Sequence, residues 1–176
     1  MSDEIPVKWQ RVIAAADGYV DLGMASHARK EMEELPSELN DHHSVTWVRY
    51  RVAYLEEQWE EAMVIADGLR LTSPVKEAAW ISMAVACRRA RGLEEAIMVL
   101  EEGLPLFPAN ALFPYNLACY HCLLGREDKA RALLRAALAM EPAMQEIAIW
   151  DEDLESLREE IKLRVFLPEK NEAEDV

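Results

Sequence analysis

A spacing of 34 residues recurs along the chain and restricts what it can fold into. It is kept by three prolines, by four alanines, and by the four apolar residues that follow those alanines by four positions. These are Pro74, Pro108 and Pro142, then Ala28, Ala62, Ala96 and Ala130, then Met32, Ala66, Leu100 and Leu134. Three independent positions with one period predict four tandem copies of one structural unit. The copies span 9–42, 43–76, 77–110 and 111–144.

Each copy contains two helical patterns separated by a turn. In the last copy, apolar residues at three- and four-residue intervals run through 115–124 and again through 130–138, with Gly125 between them. Such intervals are typical of amphipathic helices. Ser73 and Pro74 predict a helix start, because a capping residue precedes a proline already set at a helical φ. No stretch alternates β-branched and polar residues, so the predicted fold class is all-α.

A 34-residue period with two helices per copy resembles the tetratricopeptide repeat (TPR) family. The third copy matches the signature positions of that family with Trp80, Met83, Ala84, Cys87, Ala96, Leu100 and Pro108. The fourth copy matches them with Pro114, Leu117, Ala118, His121, Ala130, Leu134 and Pro142. The chain resembles the small bacterial proteins that consist of little else than such repeats. The resemblance implies a right-handed α-solenoid of four helix pairs.

The second copy is one residue short of this pattern between Tyr54 and Trp59. We therefore expect its first helix to be shifted by one residue. Arg51 would then take the place where the third copy has the small residue Ala84.

The residues after the last copy predict a C-terminal capping helix at about 150–165. Asp151 is placed to cap its start, and four apolar residues lie at helical spacing on one face. These are Trp150, Leu154, Leu157 and Ile161. A cap is needed because an open stack of repeats exposes apolar surface. We expect 1–167 to form one domain and the acidic residues 168–176 to be disordered.

The charge balance excludes several kinds of partner. The 176 residues include 33 acids and 19 bases, a net charge of −14. Neither nucleic acid nor an anionic membrane suits such a surface, because both require clustered positive charge. Apolar runs are too short to span a membrane, and the first ten residues do not resemble a signal peptide. Since three cysteines cannot form a paired disulfide framework, we expect a cytoplasmic protein with reduced thiols.

By the TPR resemblance, a partner would lie in a groove lined by the first helices of successive copies. The resemblance places ten residues of the third and fourth copies in that groove: Ala78, Ile81, Val85, Arg88, Arg89, Leu112, Tyr115, Asn116, Cys119 and Cys122. Apolar anchors combined with arginine are typical of binding surfaces. The implied function is non-catalytic binding of a peptide or helix from a partner protein.

Two alternatives of the same fold remain open. One is an export-type chaperone that holds an apolar segment of its client. The other is self-assembly, in which the groove or an end face is occupied by another copy. For the chain itself we expect a monomer or a weak homodimer. Docking of a chaperone tail is disfavoured, because most of the cationic residues with which some TPR proteins hold such a tail are missing here.

The residues most suggestive of chemistry are Cys119, His121 and Cys122, which could serve an enzyme, a redox pair or a metal site. A structural zinc site needs four ligands, and nothing in the sequence completes this set. The thiols also lie in the middle of a predicted helix and not at its N-terminus, where a thiol pKa is lowered. We therefore predict no catalytic residue, no metal and no cofactor, and interpret both cysteines as small apolar residues.

Overall fold

A computed structural model of the chain describes residues 5–164 and residue 166. Within these residues it has ten α-helices, three short 3-10 helices and no strand, which confirms the all-α class. The helices are α1 (Val7–Asp21), α2 (Ala25–Glu33), α3 (His43–Leu55), α4 (Trp59–Thr72), α5 (Glu77–Ala90), α6 (Leu93–Gly103), α7 (Leu112–Leu123), α8 (Glu127–Met140), α9 (Met144–Ala148) and α10 (Arg158–Lys162). The chain forms two compact units, Met1–Ala96 and Ile97–Val176.

Each predicted copy of the repeat contains two successive helices, α1–α2, α3–α4, α5–α6 and α7–α8. The periodic alanines are fully buried, as a residue at a close helix contact must be. Three of the four turns within the pairs contain a glycine with positive φ: Gly23, Gly92 and Gly125. Glycine adopts this backbone conformation without a steric penalty, so it ends the first helix and allows the second to fold back.

The expected shift in the second copy is wrong. Tyr50, which lies 34 residues before Ala84, is buried and takes the corresponding place, whereas Arg51 is only partly buried. The turn Glu56–Gln58 has the same length as the first turn, Leu22–Met24, so no residue is missing. The sequence pattern misled because a tyrosine stands where the third and fourth copies have alanine.

Helix α5 begins three residues later than Ser73 and Pro74 predict. Its first residue is Glu77, and Lys76 precedes it in an extended conformation. The residues before it form a turn in which the Lys76 N–H donates to the Ser73 carbonyl at 2.9 Å. The Pro74 carbonyl accepts a hydrogen bond from the indole of Trp80 at 3.0 Å. This bond to a buried tryptophan occupies a carbonyl that the first turn of a helix would have used.

The C-terminal cap differs from the single helix predicted at about 150–165. It consists of α9, a 3-10 helix at Glu152–Leu157 and α10, with non-helical dihedrals at Leu154. The Asp151 side chain caps the 3-10 helix by accepting from the Asp153 N–H at 2.9 Å, as expected of a capping residue. The predicted disordered tail, 168–176, lies outside the described residues.

Three of the four residues assigned to the inner face of that cap are buried there. Leu154, Leu157 and Ile161 are fully buried. The fourth, Trp150, is 80 % exposed, so its assignment to the same face is wrong. The chain leaves α9 just before Asp151, which breaks the helical register that would have carried the indole inward.

Candidate binding groove

Three of the ten predicted groove residues are covered by the C-terminal segment, residues 151–161. The Tyr115 hydroxyl donates to the Asp151 carboxylate at 2.8 Å, and the Cys119 thiol lies 3.7 Å from the same oxygen. The Cys122 sulfur lies 3.2 Å from the Ser156 hydroxyl. All three side chains are buried. The expectation that they line an open surface is therefore corrected, because the chain itself occupies this face of α7.

The C-terminal segment is packed into its unit by buried side chains and by polar contacts. Burial of Leu154, Leu157 and Ile161 contributes roughly 1.5–3 kcal/mol for each side chain. The Gln145 side-chain amide donates to the Ile161 carbonyl at 2.8 Å, and Arg131 binds Glu160 at 2.9 Å. A partner would have to replace all of these contacts to reach the face of α7 that carries Tyr115, Cys119 and Cys122. This cost disfavours that face as the binding surface.

The environment of Cys119 opposes thiol chemistry. Burial raises the pKa of this thiol, and the charges of Asp151 and Asp153 raise it further. Burial and the bond to Asp151 raise the pKa of Tyr115 in the same way. A protonated thiol is a poor nucleophile and a poor metal ligand.

Metal binding is the other function that these residues could serve, because the ligand atoms of Cys119, Asp151 and Asp153 lie within 4.8 Å of one another. The Asp151 carboxylate already accepts hydrogen bonds from Tyr115 and from the Asp153 N–H. The set is also one ligand short of a closed structural zinc site. The geometry therefore favours a hydrogen-bond network between α7 and the C-terminal segment.

The other predicted groove residues are at least partly accessible. On α7, Leu112 is exposed, and the Asn116 amide donates to the Leu112 carbonyl at 2.7 Å. On α5, Ala78 and Arg89 are exposed, and Ile81, Val85 and Arg88 are partly buried. The Arg89 guanidinium lies over the Trp59 ring, 4.5 Å from its centroid. Partner binding by these seven residues stays a prediction.

The unit Met1–Ala96 contains a pocket of about 300 Å³ between α1, α3 and the beginning of α5, which we call the α1–α3–α5 pocket. Its lining is Ile13, Asp17, His43, Ser44, Trp47, Val48, Lys76, Ala78 and Ala79. Of these residues, only Ala78 was in the predicted groove. Ile13 and Trp47 occupy, in the first and second copies, the place that Ile81 has in the third. The repeat period could therefore have located this pocket, but the supposed shift of the second copy left the exposure of Trp47 in a groove undecided.

The walls of the α1–α3–α5 pocket are held by contacts outside its apolar floor. The Tyr50 hydroxyl donates to the Ser82 carbonyl at 3.2 Å, which joins α3 to α5, and burial raises the pKa of Tyr50 to about 12. Arg51 on α3 forms ion pairs with Asp17 and Asp21 on α1. These contacts fix the three helices around the pocket without a ligand.

The pocket has a polar edge at His43 and Lys76. Burial lowers the pKa of His43, and the nearby charges of Lys76 and His42 lower it further. The His43 Nδ1 atom is buried and has no hydrogen-bond partner among the described residues. A polar group left in this state is costly unless a ligand or water satisfies it.

Two other cavities in this unit are less suited to an apolar segment. One, of about 450 Å³, has on its wall Arg29, which pairs with Glu56. The other, of about 500 Å³, is formed mostly by charged residues beside Trp59, and Glu60 in its wall pairs with Arg91. Charged side chains form a larger share of the walls of these two cavities than of the wall of the α1–α3–α5 pocket. The α1–α3–α5 pocket has a larger share of apolar wall.

Comparisons with known proteins support the fold. No protein-family model matches the sequence, and no curated protein is significantly similar to it. A solved structure, the MamA RS-1 ArsTM double mutant, superposes with a TM-score of 0.65 at 13 % sequence identity. The match covers 77 % of this chain and 76 % of that one. The chain therefore has a TPR-like helical-repeat fold. No described helix is both long enough and apolar enough to cross a bilayer.

Proposed function

We propose that this protein is a non-catalytic binding module that holds a segment of another protein in the α1–α3–α5 pocket. The observation that carries the proposal is the partly exposed indole of Trp47 in a pocket whose helices are already fixed by Tyr50 and Arg51. Tryptophan is among the residue types that most often dominate binding energy at interfaces. A location in the cytoplasm of a bacterium remains part of the prediction.

The size of the pocket indicates what it holds. Small-molecule sites usually have about 300–1,000 Å³, so a volume of about 300 Å³ suits one or two side chains of a longer segment. Ile13, Trp47 and Val48 would contact the apolar side chain. His43, Ser44 and Lys76 offer hydrogen bonds to the backbone of the segment. Because the pocket is preformed, little conformational entropy is lost on its own side.

A displayed library of random peptides, selected on the purified chain, tests the proposal. We expect the enriched peptides to share a bulky apolar residue and to bind Trp47→Ala at least about tenfold more weakly, as measured by calorimetry. Val64→Ala is the matched control, because Val64 is exposed on α4 and does not line the pocket. Its affinity for the peptides should equal that of the wild type.

Crosslinking locates the bound peptide. A photoreactive amino acid at position 78 should crosslink to the enriched peptides, and the same group at position 64 should not. Peptides that bind the wild type and Trp47→Ala equally, or that crosslink from position 64 alone, would contradict the proposal.

A further inference from the structure

The unit Ile97–Val176 exposes two bulky apolar side chains on one short helical turn. Trp150 is 80 % exposed and Ile147 is 62 % exposed. The Trp150 N–H donates to the Ile147 carbonyl at 3.0 Å, so the two residues follow one turn of helix and project from the same side. The opposite side of α9 is buried through Met144 and Ala148. Burial of a large aromatic side chain such as Trp150 would lower the free energy, and exposure leaves this stabilisation unused. The exposure of Trp150 beside Ile147 therefore indicates a contact surface.

The charges beside this surface restrict its partner. Glu141, Glu146 and Glu152 are exposed, and they precede or follow Ile147 and Trp150 closely in the sequence. A complementary partner must therefore offer an apolar face with positive charge and without carboxylates.

The exposed face of α1 in the unit Met1–Ala96 has this composition. Val7 is 61 % exposed, Leu22 just after the helix is 73 % exposed, and the cations Lys8 and Arg11 are exposed between them. Arg11 forms no ion pair with a described residue. This composition is unusual for a chain with 33 acids and 19 bases.

The carboxylates of α1 bind toward α3, where Arg51 balances one of their two charges. Asp17 and Asp21 both bind Arg51 on α3, and α1 packs on α2 and α3. The described residues of the exposed face therefore combine apolar area with two positive charges.

We propose that copies of this chain associate head to tail, with Ile147 and Trp150 of one copy docking on the exposed face of α1 in the next copy. The contact joins two different surfaces, so each copy keeps one free surface of each kind and association can continue. The indole would lie against Val7 at the beginning of α1, and the glutamates would lie near the adjacent cations Lys8 and Arg11. This inference concerns a different surface from the α1–α3–α5 pocket and does not depend on it.

Sedimentation velocity on the purified chain over a wide concentration range tests the proposal. The wild type should form species larger than a dimer as the concentration rises. Trp150→Glu removes one surface and Arg11→Glu alters the other, so each variant alone should remain monomeric. An equal mixture of the two variants retains one intact pair of surfaces and should form a one-to-one dimer and nothing larger.

Matched controls exclude effects of charge or folding alone. Leu71→Glu and Met98→Glu place the same charge at exposed apolar positions elsewhere and should associate like the wild type. Trp47→Ala should also associate normally, which separates this contact from the proposed pocket. Each variant should keep the circular dichroism spectrum of the wild type.

Three results would overturn the proposal. The first is a wild type that stays monomeric at every concentration. The second is normal association of Arg11→Glu while Trp150→Glu is monomeric, because the indole would then dock elsewhere. The third is a mixture of the two variants that remains monomeric although each variant is folded.

Discussion

Glu57 has a positive φ, a backbone conformation that is adopted by glycine in the three equivalent turns of the chain. Its φ is 60°, close to the 71° of Gly23 and the 68° of Gly125. For a residue with a Cβ atom this left-handed region costs roughly 1–2 kcal/mol, and glycine avoids that cost. The second repeat is therefore strained at its central turn.

We expect Glu57→Gly to raise the free energy of unfolding by roughly 0.5–1 kcal/mol, because relief of the strain exceeds the entropy that glycine adds to the unfolded chain. Urea denaturation measures the change. Gly125→Ala is the converse control and should lower stability by about 1 kcal/mol. Apart from the two adjacent residues, no atom lies within 4 Å of the Cβ it would add, so the effect would come from the backbone conformation. A destabilised Glu57→Gly would contradict this account of the turn.

Cys119 is a second position whose surroundings set its chemistry. Burial and Asp151 raise its pKa above the ordinary value, so the thiol stays protonated at neutral pH. We expect it to react with iodoacetamide at pH 8 far more slowly than a free cysteine and to react at the ordinary rate once the chain is unfolded in urea. Mass spectrometry of the alkylated peptides measures both rates. A native Cys119 that reacts faster than the unfolded one would revive the enzymatic interpretation.

At the scale of elements, the C-terminal segment determines which face of α7 is accessible. It is short and irregular, yet Leu157 and Ile161 within it are fully buried, and Tyr115 and Cys122 on α7 are bonded to it. An element this rich in buried side chains behaves as part of the core despite its lack of regular structure.

Truncation of one of the buried side chains of this segment should therefore lower the stability of the protein substantially. We expect Leu157→Ala to lower the free energy of unfolding by about 2–5 kcal/mol, through lost burial and the cavity left behind. Leu163→Ala, at an exposed position only six residues later, should change it by less than about 0.5 kcal/mol. Urea denaturation followed by circular dichroism compares the two. Equal, small effects would show that the C-terminal segment is not packed as described.

At the scale of the whole molecule, the net charge of −14 opposes folding, because it concentrates like charges in the compact state. Salt screens such repulsion, with a Debye length of about 8 Å at physiological ionic strength. Ion pairs such as Arg91–Glu60 are largely exposed, so their loss to screening is small.

We therefore expect added sodium chloride at neutral pH to raise the urea midpoint of unfolding. The same salt near the isoelectric point should have little effect, because the net repulsion is then absent. A midpoint that falls with salt at neutral pH would mean that the exposed ion pairs outweigh the repulsion.

The repeat period was sufficient to predict four helix pairs, their approximate limits and the buried alanines. These features depend on contacts between residues that are close in sequence or one repeat apart. A periodic sequence repeats the residues that make these contacts, so the contacts can be predicted from it. Its predictions failed where one residue departed from the period. Tyr50 at a position where other copies have alanine suggested that α3 is shifted by one residue. The structure shows no such shift, because Tyr50 is buried at that position and the turn at Glu57 has the usual length.

The path of the C-terminal segment could not be predicted in the same way. Helical spacing placed Trp150 with Leu154 and Leu157, but a 3-10 helix replaced the expected α-helix and left the indole exposed. The same path brings Asp151 and Ser156 onto α7 and covers three residues assigned to a groove. The conformation of a segment outside the repeat depends on how its side chains pack against residues distant in sequence. A periodic sequence pattern does not indicate that packing.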